Sequence, residues 1–299
     1  MTKFWETLGG KLAEQWVVTL LTPAFVFWIG GIGAWTLYAG RSRFKDALTR
    51  ITQLPESAQV ALAIAGLLLV MASAVIVQRF ELEALRVLEG YWPRWTRPLR
   101  RWLIAKQNKS ITRKGARFQA LARKNLHNLT PEEREDYAAP DWKLMHVPAD
   151  PVQRMPTRLG NILRAAEQRP MDKYGLDAII CWPRLWLLLP DTTRNELTEA
   201  RANLNTTVRI WLWGMLFLVW SVWTVAVPIG LLVALVAYRW TLHAAEIYGE
   251  LFEATFDLHR TMLYESLRWP LPATPADEQK AGAELTAYLW RGFTPHTET

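Results

Sequence analysis

From Val208 to Tyr238 the chain carries no charge apart from Arg209 near the start of the stretch. Trp211, Trp213, Trp220 and Trp223 stud its first half, and Pro228 and Gly230 punctuate its middle. Such a run is too apolar for a soluble surface and too long for a buried strand, so it reads as a helix hairpin in a membrane.

Two further runs, residues 15 to 40 and 57 to 78, contain no Asp, Glu, Lys, Arg or His. Each exceeds the roughly 20 residues needed to cross a bilayer as a helix. Trp16 at one end of the first run, with Trp35 and Tyr38 at the other, gives the aromatic spacing expected of rings seated at both interfaces. The first run is expected to stay in the protein rather than act as a cleaved signal, because Glu6 and Glu14 precede it and no small-x-small site follows it. The expectation is an all-α integral membrane protein with four transmembrane helices in two hairpins. A helical cytoplasmic domain is inserted between helices two and three, and helices three and four carry long cytoplasmic stems. The boundaries read as an interfacial helix at 1–16, a first hairpin at 17–78, a basic α domain at 79–192, a long hairpin with a membrane tip at 193–269, and an amphipathic helix with a loose tail at 270–299.

Charge sets the orientation. Residues 79–209 hold 24 Lys and Arg against 15 Asp and Glu, whereas residues 239–299 hold 5 against 9. Basic residues beside membrane helices favour the cytoplasmic side, so Arg79, Arg86, Arg94, Arg97, Arg100 and Arg101 place the middle segment inside. Four crossings return the tail to the same side, which puts both termini in the cytoplasm and makes a bacterial-type inner membrane the expected location. The loop 41–57, with Arg41, Arg43, Lys45 and Arg50, then falls outside, against the same rule.

Local signals fill in the domain. Gly90 is a plausible cap after FELEALRVLE, and Thr130-Pro131-Glu132-Glu133 reads as a capping box. Leu159, Ile162, Leu163 and Ala166 share a helical spacing. Ile179–Pro190 is too short to span and is expected either to dock the domain on the membrane face or to fill its core. Thr193 and Glu196 read as a second box, with the helix running unbroken to Thr224. Thr274 to Asp277 caps a last helix that Gly292 stops. Within the tip, Trp213, Trp220 and Trp223 share one face, and Gly230, Ala234 and Ala237 offer a small-residue face for them to pack on.

Two patterns carry candidate sites. Between Glu89 and Glu132 there is no acidic residue, while Trp95, Leu99, Trp102 and Leu103 share one helix face beside Arg94, Arg97, Arg100 and Arg101. An apolar, aromatic face next to a cationic one suits a helix lying on anionic lipid, at roughly 1 kcal/mol per basic residue near the surface. A basic face paired with the acidic tail is the alternative, and nucleic acid is the least favoured, since no base-reading fold accompanies the charge.

The second pattern lies beyond the tip. Arg239, His243, Glu246, Glu250, Glu253 and Asp257 fall on one stripe of the returning stem. If the turn centres near Ala226, Arg201 faces Glu250 and Arg194 faces Asp257, so interhelical ion pairs are the expected use. A cation-collecting vestibule and a metal or proton relay are the alternatives. The single cysteine, Cys181, excludes an internal disulfide. No hydrolase, zinc-protease, phosphate-loop or dinucleotide motif is present, so neither catalysis nor a cofactor is expected.

Small multi-pass helices around a helical cytoplasmic domain give a layout similar to that of bacterial effectors that permeabilise the inner membrane on a cytoplasmic signal. That similarity implies an oligomeric, ion-conducting or permeabilising protein triggered through its domain. The alternative is a non-conducting scaffold that recruits a soluble protein partner.

Overall fold

The computed structural model describes residues 21–123, 130, 145–222 and 226–292. Among these there are ten α-helices and no strand. In chain order they are α1 (Thr22–Ala39), α2 (Arg41–Thr52), α3 (Glu56–Arg79), α4 (Glu81–Glu89), α5 (Arg97–Ala122), α6 (Arg158–Tyr174), α7 (Ala178–Leu188), α8 (Asp191–Leu216), α9 (Ala226–Ser266) and α10 (Pro275–Arg291). Short 3-10 turns cover Arg94–Thr96, Pro151–Gln153 and Phe217–Val222. The expected interfacial helix at 1–16 and the capping box at 130–133 lie outside the described residues, Thr130 excepted. Two compact units emerge, one from residues 1–85 with 205–241 and the other from 86–204 with 242–299.

The first unit is built on aromatic and small residues. Leu21, Ala24, Val70, Ala74, Val77 and Trp213 are buried together, with Phe27, Trp28, Leu212 and Leu216 against them. Trp28 Nε1 donates to Ser73 Oγ at 3.2 Å, which ties α1 to α3. Among the described residues two helices are long and apolar enough to cross a membrane, α3 and α9. α1 is an uncharged helix of 18 residues that opens with Pro23 in its first turn, where a missing N–H costs nothing. The basic stretch after it, read from sequence as part of a loop, is α2. Phe44, Leu48 and Ile51 repeat at i, i+4 and i+7 there, a helical period hidden under the arginines.

At the tip the packing differs from the expected rings-on-small-residues arrangement between α8 and α9. A Cβ on Gly214 would lie 2.8 Å from the backbone nitrogen of Ala234, and one on Gly230 would lie 2.9 Å from the carbonyl of Gly214. Small residues therefore meet small residues, and the two backbones approach closely. Trp213 sits about 100° round the helix from Gly214. With Gly214 on α9, the ring turns to α1, 5.0 Å from Phe27. Trp220 also packs on α1, against Phe27, Trp28 and the open face of Gly31. Trp223 lies outside the described residues. The helix expected to continue to Thr224 ends at Leu216 and tightens into the 3-10 turn, and α8 begins at Asp191, so Thr193 stands inside the helix rather than at its cap.

The second unit has its core in Leu176, Cys181, Leu185, Phe256, Leu263 and Leu285. α7 fills that core, with Asp177 capping it by accepting from the Ile179 and Ile180 N–H groups at 2.8 and 3.3 Å. Burial pushes the Cys181 thiol up to about 11, which leaves it protonated and unreactive. Thr157 caps α6 through Gly160 N–H at 3.0 Å, and Gly175 ends it in a left-handed conformation, φ +70°. Gly90 ends α4 in the same way, φ +99°.

Candidate functional sites

The acidic stripe of α9 is engaged, but by α6 rather than α8. Arg158 Nη2 lies 3.2 Å from Glu246 Oε1, and Glu246 itself is 7% exposed. Arg169 pairs with Glu253, and Lys173 Nζ reaches Glu253 at 2.6 Å and Asp257 at 3.1 Å. Tyr174 adds a hydroxyl donor to Asp257 Oδ1 at 2.7 Å. His146 lies 3.7 Å from Glu250, and His243 3.9 Å from Glu246. Burial alone would lower the Lys173 ammonium, but its hydrogen bonds to Glu253 and Asp257 outweigh that and hold it above its ordinary value.

The two arginines expected to make these pairs are used elsewhere. Arg194 pairs with Asp191 one turn away on its own helix. Arg201 lies with its guanidinium 5.5 Å from the centre of the Tyr248 ring. Arg239 is exposed and makes none of the stripe's ion pairs. The pairs along the ladder ascend together on α6 and α9, so the two helices run in the same direction. Hairpin arithmetic addresses only the antiparallel neighbour. Carboxylates neutralised in this way have less field left with which to gather cations.

The basic, aromatic segment is split between the 3-10 turn at Arg94–Thr96 and the start of α5. Trp95 is 81% exposed and Trp102 57%, with Leu99 also exposed. Lys106 Nζ stands 5.2 Å from the centre of the Trp102 ring. Arg94, Arg97 and Arg101 are exposed and Arg100 is half-buried.

Two features were not anticipated from the sequence. The first is a buried ion pair in the first unit, where Arg209 Nε and Nη2 both donate to Glu81 Oε2, at 3.0 and 2.7 Å. The second is a cavity of about 310 Å³ in the second unit, lined by side chains of α4, α6, α7, α8 and α9. Glu89, Glu167 and Arg201 are its charged members, and Trp182, Tyr248 and Phe252 its aromatic ones. No local motif announces it, because its members are scattered from residue 89 to residue 252. Among the described residues no group of three or more His, Cys, Asp or Glu side chains is placed to hold a metal ion.

Burial, reinforced by the Glu167 carboxylate, raises the Glu89 carboxyl to about 7, against opposing pulls from Arg201 and Arg86. A carboxyl raised on folding keeps its proton in the native state after the unfolded chain has lost it. Stability is therefore expected to fall as pH rises from about 4.5 to about 7, and Glu89→Gln should flatten that limb of a denaturation-midpoint profile.

Compared with protein families, curated proteins and solved structures, the chain matches none.

Proposed function

We propose that this chain is a multi-pass protein of a bacterial-type inner membrane that holds a helical receiver domain at the cytoplasmic face of the bilayer. The observation that carries the reading is the bare surface of α3. Val60, Leu62, Ile64, Leu68 and Ile76 are each half exposed or more, on a helix of 24 residues whose most apolar stretch is only 17% buried. Soluble monomers rarely leave a contiguous apolar face of this kind to water. α9 repeats the pattern with Leu231, Leu232 and Leu235, and the uncharged α1 supplies a third apolar helix. The excess of basic residues in 79–209 favours a cytoplasmic place for the domain, where Arg94, Trp95, Arg97, Arg100, Arg101 and Trp102 would rest on anionic lipid headgroups.

An anchor that presents a domain fits this geometry better than a pore within one protomer. The carboxylates of the α9 stripe are spent on α6, and the charges of Arg209 and Glu81 are turned on each other. Conduction would need a path made between copies of the chain, for which the bare face of α3 leaves room. Reconstitution separates the two. Purified protein in vesicles containing anionic lipid should remain there through alkaline extraction while the vesicles stay sealed to a trapped potassium-sensitive dye. Release of the protein by alkali would remove the membrane reading, and a sustained ion leak would replace the anchor with an oligomeric channel.

A further inference from the structure

The cavity of the second unit combines three properties that a structural void does not need. It holds the carboxyl of Glu89, which makes no salt bridge with a described residue and feels Arg201 and Arg86 only as neighbouring charges. A second carboxylate, Glu167, faces it and is partly committed to Arg164 at 3.3 Å. The wall beside these acids is aromatic, with Trp182 and Phe252 at 4.5 Å between ring centres. Its rim at Ile179, 70% exposed, opens to solvent.

The position of Glu89 is fixed by its main chain. Thr157 Oγ1 donates to the Glu89 carbonyl at 2.8 Å, and Gly160 presses on the same oxygen so closely that a Cβ there would stand 2.0 Å from it. The clamp fixes the point from which the side chain enters the cavity. Arg201 shares the cavity, its guanidinium laid over Tyr248. One guanidinium stands against two carboxyl groups, so the lining is net negative once Glu89 is ionised.

We propose that this cavity binds a small organic ammonium ion, its charge taken by Glu89 and Glu167 and its apolar body laid along Trp182 and Phe252. Aromatic faces attract cations and apolar bodies alike, so acid and ring act on the same ligand. At about 310 Å³ the space admits a ligand with one ring or a short alkyl chain. The site lies wholly within the second unit and stands whether or not the apolar helices cross a bilayer.

The titratable and charged groups facing Glu89 are Glu167 on α6, Arg201 on α8, Arg86 on α4, and the phenols of Tyr91 and Tyr248. Because an ammonium ion favours the ionised acid, its binding should release a proton near neutrality and tighten from pH 6 to pH 8.

The test is titration calorimetry on the full-length protein in detergent with phenethylammonium, and with 3-phenylpropionate as the anion of similar shape. Expected are saturable binding of the amine, proton uptake by the buffer seen by comparing two buffers of different ionisation enthalpy, and weakening by about tenfold or more in Glu89→Gln. The two-buffer comparison uses the unaltered protein and holds even if that variant folds poorly. Preference for phenylpropionate, amine binding without proton release, undiminished binding by folded Glu89→Gln, or no heat at millimolar amine would each overturn the proposal.

Discussion

Arg209→Ala is expected to destabilise the unit built on α1, α3 and the α8–α9 tip by about 3–5 kcal/mol, the cost of leaving one member of a buried ion pair without its partner. The Arg209 and Glu81 side chains are each only 9% exposed, and one carboxylate oxygen receives both arginine donors. Deleting the cation strands the acid in a place water does not reach. Glu81→Ala should cost a similar amount. The informative variant is the double replacement Glu81→Leu with Arg209→Met, which removes both charges and keeps apolar bulk. It should recover most of the loss, because burying two ions has its own desolvation cost. Thermal unfolding in detergent, followed by protease protection of α8, measures all three proteins. Losses that simply add in the double variant would mean that the two residues act independently and that the pair is incidental.

The second large effect is steric. Gly282→Ala would bring a Cβ to 1.9 Å from the main-chain oxygen of Tyr174, and Gly160→Ala would bring one to 2.0 Å from that of Glu89. In both cases the obstacle is backbone, which cannot swing aside as a side chain does. Each substitution should cost about 3 kcal/mol, the upper part of the usual range for overpacking. Gly115→Ala is the control. That glycine lies within α5 with nothing near its would-be Cβ, so the change should stabilise the helix by up to about 1 kcal/mol. Chemical denaturation midpoints for the three variants decide the matter, and equal midpoints for Gly282→Ala and Gly115→Ala would refute the close approach of α6 and α10.

What could be read from the sequence and what could not divides along the range of the interaction. The apolar run of α3 was visible to within two residues at each end, because hydrophobicity is a property of the segment itself. Gly90 and Gly292 were visible as helix stops, since a left-handed residue is a local demand that glycine meets. α2 is not legible as a helix because four basic residues in twelve mask the Phe44, Leu48 and Ile51 period. The stripe on α9 was visible as a stripe, yet its partner on α6 is more than 80 residues away and runs parallel to it. No spacing rule within a hairpin reaches that far. The Glu89 cavity is the extreme case, since it exists only once five helices have packed.

The 3-10 turn at Phe217–Val222 bears on how the tip fits a bilayer. A 3-10 helix rises about 2.0 Å per residue against about 1.5 Å for an α-helix, so these six residues reach about 3 Å further than they would if α8 had simply continued. If the tip enters a bilayer, as proposed above, stretching by rewinding would offset part of the mismatch between so short an apolar segment and a hydrocarbon layer about 30 Å thick. The rest would fall to the lipid, which would have to thin around the tip. Bilayers of shorter acyl chains should hold the protein with the least distortion.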